Sequence, residues 1–277
     1  MVGYYSCDYR QVYLHSLVIF LLLILFVSNI YASEVVIATG INNDPPYVYS
    51  DKQVSDEFPG VTIDVLRLIE EKSDMKFIVK KRPWKRVVVE VKGNLIDGGF
   101  HFSYKEKRKS FVAYPIPEGH SLPDPKYSIS NRSYTLYRLK GQTIHWNGKQ
   151  IVANSKENHV ISAIRGGSIT QDIRALGHEL VEVNDDLQLI QGLLLKRVDA
   201  FVALENMLDP KIEMLSHNER ELIEKSLPEV VNKPYYIAFS KRFYRDNPEK
   251  AWKIWKTIDR IKKSGALQKI FYKYANR

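Results

Sequence analysis

The segment Ser103-Tyr104-Lys105-Glu106-Lys107-Arg108 places an arginine just beyond a strand-like run, where it could grip an anion. A guanidinium donates two parallel hydrogen bonds to a carboxylate, fixing both position and orientation. Gly166-Gly167-Ser168, at the start of a later helix-like segment, would offer unpaired backbone N–H groups and a hydroxyl to the same anion. A third element is Asp44-Pro45-Pro46-Tyr47, whose paired prolines restrict the backbone and present Tyr47 as a stacking surface. Trp84 sits in Lys80-Lys81-Arg82-Pro83-Trp84-Lys85-Arg86, an aromatic among five cations. Such interleaving suits nucleic acid. The export signal described below argues instead for a basic rim with Trp84 pointing into a cleft, and no nucleic-acid partner is expected.

Catalytic signatures are missing. The chain has no G-x-S-x-G, H-E-x-x-H, phosphate-loop or G-x-G-x-x-G motif, and its seven histidines show no metal-ligand spacing. Cys7 is the only cysteine, which excludes a disulfide framework or a zinc–thiolate cluster. His101 lies near a strand end and reads as a hydrogen-bonded or cleft-lining residue. The pairs Glu70-Glu71 and Asp185-Asp186 read as solvated helix faces or caps. These observations predict a non-enzymatic protein with no cofactor and no metal.

The elements that must hold these residues follow a repeated order. Val35–Ala38 alternates into a strand, Val61–Lys72 carries a helical stripe after Gly60, and Phe77–Val79 is a second strand. A helix bounded by Pro83 and Gly93 and a strand over Leu95–Phe102 complete the first unit. The second unit repeats this with strands at Val160–Ile164, Leu180–Val183 and Val198–Ala203, and helices after Ser168 and from Asp185 to Leu195. Two β-α-β-α-β units predict two α/β lobes facing each other across a cleft, with ligand contacts at strand C-termini and helix N-termini. Pro115–Arg132 reads as the exit from the first lobe and Lys233-Pro234-Tyr235-Tyr236 as the return crossover. The C-terminal helices from Pro248 onward read as cladding. The expected boundaries are 33–130 plus 235–277 for lobe 1 and 131–234 for lobe 2.

Composition fits an exported, folded chain. Of 277 residues, 44% are hydrophobic and 26% charged, which excludes a disordered protein. An excess of 41 Lys+Arg over 32 Asp+Glu gives a net charge of +9 and favours anionic partners. Leu17–Val27 is an unbroken apolar run of 11 residues, short for a membrane span but suited to the core of a secretory signal. Residues 1–32 therefore read as a signal peptide cleaved after Ala32, sending a cysteine-free mature chain to a Gram-negative periplasm.

Taken in order, these residues resemble the extracellular solute-binding protein family 3, the periplasmic receptors of polar amino acid importers. The resemblance runs from about Val35 to Tyr274. It rests on the Pro45-Pro46-Tyr47 opening, Gly60-Val61-Thr62-Ile63-Asp64-Val65, Ile96-Asp97-Gly98-Gly99 and Lys107-Arg108 before Phe111 and Tyr114-Pro115. Arg197-Val198-Asp199-Ala200 and the stretch from Lys233 to Ser240 continue it. It implies a two-lobed type II periplasmic-binding-protein fold and delivery of a small solute to the permease of an ABC importer by a monomeric receptor. By the same resemblance Arg108 binds a ligand carboxylate, supported by Ser103, while Tyr47 and Trp84 pack on the ligand body. Gly167 and Ser168 close on the same carboxylate, and Glu205 is the nearest acid to pair with a ligand amine. The chain departs from the pattern at Lys105, where a threonine is usual, and at Glu205, about one position from the expected acid. An anionic or zwitterionic, carboxylate-bearing solute is expected. The alternatives are a cyclohexadienyl- or arogenate-type dehydratase on the same scaffold, or a stand-alone sensory module.

Overall fold

A computed structural model describes residues 33–41, 44–49, 58–154 and 159–274. The signal segment over 1–32 lies outside the described residues. Among those described, no helix is long and apolar enough to cross a membrane.

The first unit is β1 (Ser33–Gly40), α1 (Val61–Glu71), β2 (Met75–Arg82), α2 (Trp84–Lys92) and β3 (Gly98–Ser103). A two-residue strand, β4 (Val112–Ala113), follows. The long strand β5 (Ser130–Leu139) leads to the small hairpin of β6 (His145–Trp146) and β7 (Ile151–Val152). The second unit is β8 (Val160–Ile164), α3 (Ile169–Ala175), β9 (Glu179–Val183), α4 (Asp186–Leu194) and β10 (Ala200–Leu204). Two helices follow, α5 (Glu205–Glu213) and α6 (His217–Arg220). The 18-residue strand β11 (Ile223–Ser240) then returns to the first unit. Three helices end the chain: α7 (Lys241–Asp246), α8 (Pro248–Lys263) and α9 (Ala266–Tyr274).

The two units are topologically alike. Strand order is β2-β1-β3 in the first and β9-β8-β10 in the second, so the opening strand of each sits between the other two. β1 runs parallel to β3, and β8 runs parallel to both β9 and β10. One sheet joins them: β11 pairs antiparallel with β3 through its C-terminal part and with β5 along most of its length, and β5 pairs antiparallel with β10.

Apolar burial follows the same division. One cluster packs β1 and α1 against the C-terminal helices through Ile37, Ile69, Trp255 and Ile258, and another joins Val87, Phe102 and Tyr236. Two further clusters, around Leu136, Ile161 and Val202 and around Tyr137, Leu189 and Phe201, belong to the second unit and its flanking strands. The third predicted strand begins at Gly98 rather than Leu95. Leu95 is exposed, and Asp97 turns its carboxylate back to accept from the Val36 N–H at 2.9 Å, a capping role that precedes the ladder.

Candidate functional site

The Asp44–Tyr47 turn is fixed from both ends. The Asp44 and Val48 backbones close on each other, while Val61 and Thr62 donate from the first turn of α1 to the carbonyls of Pro46 and Tyr47 at 2.9 and 3.0 Å. Gly60 makes this docking possible. Its φ is +111°, and a Cβ there would lie 2.3 Å from the Tyr47 carbonyl oxygen. The C-terminal helix α9 holds the same corner, because the Tyr274 hydroxyl accepts from the Gly60 N–H at 3.0 Å and donates to Asp64 at 2.7 Å. Cladding helices thus help position a residue more than two hundred positions earlier in the chain.

Asp44 is the hub of a buried polar network. It accepts from Arg132 Nη1 at 2.7 Å and from Asn206 Nδ2 at 2.9 Å, and His101 Nδ1 stands 3.3 Å away. His101 reaches Asp44 because β3 carries a bulge there. Its φ is +58°, and the pairing register with β11 slips between Tyr236 and Ala238. The other ring nitrogen of His101 bonds the Thr62 hydroxyl at 2.9 Å. Burial, reinforced by the Arg132 charge, holds the imidazole pKa well below its ordinary value, so His101 is neutral at physiological pH. Arg132 comes from the start of β5 and lies between the rings of Tyr47 and Tyr235, 4.0 and 5.0 Å from their centroids. Its Nη2 is buried without a hydrogen-bond partner.

Arg108 stands in a short 3₁₀ turn (Glu106–Ser110) just after β3 and is only 5% exposed. Its Nη1 donates to the Ser103 carbonyl at 3.0 Å and its Nη2 to the Gly166 carbonyl of the second unit at 2.7 Å. The Trp84 and Phe102 rings flank the guanidinium. Lys105 also bridges the units, donating to the Gly167 carbonyl and, at 3.2 Å, to the Thr170 hydroxyl. Burial, with Arg108 nearby, pushes the Lys105 pKa down to about 8.

A cavity of about 510 Å³ lies among these groups, a size usual for small-molecule sites. Its wall takes Thr39, Gly40, Trp84, His101, Ser103 and Arg108 from the first unit, and Ile164, Gly167, Ser168, Asp186, Val202 and Leu204 from the second. Arg132, Tyr134 and Tyr235, on the strands that cross between the units, also line it, as do Asp44 and Asp185. The structure therefore brings together five of the residues singled out from the sequence: Trp84, Ser103, Arg108, Gly167 and Ser168. Two are not in the wall. Tyr47 stands behind Arg132, edge-on to His101 and Phe271. Glu205, the first residue of α5, accepts from the Thr135 hydroxyl at 2.7 Å and lies 3.8 Å from Lys225. Leu204 faces the cavity at the end of β10 instead.

Arg132, Asn206 and Tyr235 were not singled out. Arg132 lies at the end of a loop-like stretch where nothing in its neighbours marks a buried charge, and Asn206 acquires its role only when α5 meets the Asp44 turn. Among the described residues no group of His, Cys, Asp and Glu is arranged to hold a metal ion.

A two-unit α/β fold with a cavity lined from both units is the type II periplasmic-binding-protein fold, and solved structures agree. The chain superposes with a TM-score of 0.64 on a mutant of ArgBP from T. maritima, at 14% identity, over 88% of this chain and 96% of that one. It superposes with a TM-score of 0.63 on the substrate binding protein of an amino acid ABC transporter, at 15% identity, over 88% and 100%. A histidine kinase sensor domain with similarity to periplasmic binding proteins matches at 0.64 and 15% identity, over 89% and 97%. No curated protein sequence matches the chain. Residues 37–277 match the bacterial extracellular solute-binding proteins, family 3, and the chain belongs to that family.

Proposed function

We propose that the protein is an exported receptor that captures a small carboxylate-bearing solute in this cavity and delivers it to the permease of an ABC-type importer. The observation that carries the reading is Arg108. Its guanidinium is buried in the cavity wall with one donor on a carbonyl of its own unit and one on the Gly166 carbonyl of the other, so a ligand carboxylate can take the place of these carbonyls as the acceptor of both donors. Gly167 and Ser168, preceding α3, face the same space. The lobes run over 33–130 plus 235–277 and over 131–234. The apolar clusters support this division, since those of the first unit draw on residues up to Ile129 and from Tyr236 onward. Opening and closing occur by a hinge in β5 and β11, the strands that cross between the units. Residues 1–32 act as the cleaved signal peptide, consistent with a family of extracellular proteins.

The likeness to a kinase sensor domain supports a second reading, in which the loaded receptor docks on a signalling partner. The dehydratase reading finds less support. His101 is held neutral with both nitrogens engaged, and Glu205 is outside the cavity wall, so neither is placed as a general acid.

A thermal-shift screen of the purified protein against amino acids, organic acids and prephenate-like compounds tests the reading. A ligand at 100 times its dissociation constant stabilises by about 2.7 kcal/mol. The receptor reading expects a carboxylate hit that Arg108→Ala abolishes and that is recovered unchanged. A hit that is chemically consumed overturns it in favour of an enzyme.

A further inference from the structure

The charged groups around the cavity are unequal in what they leave available. Asp44 is spent on Arg132 and Asn206, with His101 beside it. Asp186 is paired with Lys211, which comes from outside the wall. Asp185 caps α4, accepting from the Gln188 N–H at 2.9 Å. At the end of β10 the wall presents Leu204, while Glu205 is engaged by Thr135 and Lys225. Of the three acids that line the cavity among the described residues, Asp44 and Asp186 are thus already paired with a protein cation, while Asp185 is held by a backbone N–H. A ligand ammonium entering here would lose its water and find two of the three carboxylates already committed to a protein cation, which makes the exchange less favourable than at a site with an acid kept free for it.

The cations are placed the other way. Arg108 donates only to neutral carbonyls, and Lys105 beside it does the same apart from its bond to the Thr170 hydroxyl. Arg132, also in the cavity wall, retains a buried nitrogen with no acceptor, and a buried donor of that kind calls for an oxygen.

Resting on the receptor reading above, we propose that the ligand is a carboxylate without a free ammonium group and with a second oxygen acceptor. The chemical class is a dicarboxylate or a 2-oxo acid, anchored at one end by Arg108 and at the other by Arg132. This selectivity would set the protein apart from a receptor for zwitterionic amino acids.

Matched pairs test it by calorimetry: 2-oxoglutarate and glutarate against L-glutamate, and phenylpyruvate against L-phenylalanine. Each is titrated into the wild-type protein and into the double variant Asp44→Asn/Arg132→Met, which removes the second anchor without leaving its partner carboxylate charged. The expected result is at least tenfold tighter binding of the deaminated member of a pair, and a loss of tenfold or more for 2-oxoglutarate in the double variant, whose folding is verified by its thermal transition. Equal or tighter binding of the amino acid overturns the inference and leaves the receptor reading standing. Unchanged affinity in the folded double variant overturns the role of Arg132. Silence of all five probes at millimolar concentration overturns the carboxylate-receptor reading itself, and the inference falls with it.

Discussion

Lys105 donates to the carbonyl oxygen of Gly167, a bond between the end of the first β-α-β-α-β unit and the helix start of the second. The Thr170 hydroxyl receives the same ammonium at 3.2 Å. A lysine here both bridges the two sides of the cavity and adds positive charge beside Arg108.

Its pKa gives the first prediction. Burial and then the Arg108 and Lys233 charges lower it to about 8, against the opposing pull of Asp172 and Glu182. Raising the pH through about 8 removes the charge, so affinity for a carboxylate ligand falls above that pH, by at most about tenfold per pH unit. Calorimetric titrations between pH 7 and 10 should show this decline in the wild type and a flatter profile in Lys105→Gln. Superimposable profiles would remove Lys105 from the electrostatics of binding.

The Asp44–Arg132 pair gives a second. Both side chains are buried, and breaking such a pair from one side typically costs about 3–5 kcal/mol because a charge is left uncompensated. Arg132→Met alone should therefore lower the thermal midpoint by roughly 10 °C in a domain of this size. Adding Asp44→Asn should restore at least half of that loss. A double variant no more stable than Arg132→Met would show that the cost lies in lost packing against Tyr47 and Tyr235.

A third concerns acid lability. The folded-state pKa of His101 is well below the ordinary imidazole value of 6.5. Between those two values the unfolded chain holds a proton that the folded chain refuses. The His101 contribution is therefore complete above pH 6.5 and is lost as pH falls below it, by up to about 1.4 kcal/mol per unit. Asparagine tolerates the left-handed backbone at this position. Thermal midpoints of wild type and His101→Asn between pH 6.5 and 5 should show a steeper fall for the wild type, and parallel curves would refute the assignment.

What the sequence made legible is the scaffold and one edge of the cavity wall. Strand and helix periodicities located both repeated units, and Arg108, Gly167 and Ser168 could be chosen because an arginine after a strand and a Gly-Gly-Ser helix start have local signatures. The Asp44 network has none. Arg132 meets Asp44 across 88 positions, Asn206 arrives from α5, and His101 joins through a bulge that periodicity does not encode. Glu205 shows the opposite limit. Its place in the chain suggested a ligand contact, but the last residue of β10 that faces the cavity is Leu204, and the helical turn that starts at Glu205 carries its carboxylate to Thr135.

The central claim is that one solute carboxylate is held at once by Arg108 and by the Gly167-Ser168 helix start. A calorimetric titration of the best carboxylate ligand into wild type, Arg108→Ala and Ser168→Ala tests it most directly. The account predicts one site per chain, loss of about 100-fold or more in affinity for Arg108→Ala, where a charged hydrogen bond is removed, and about tenfold for Ser168→Ala. Wild-type affinity in both folded variants would place the ligand elsewhere and contradict the account.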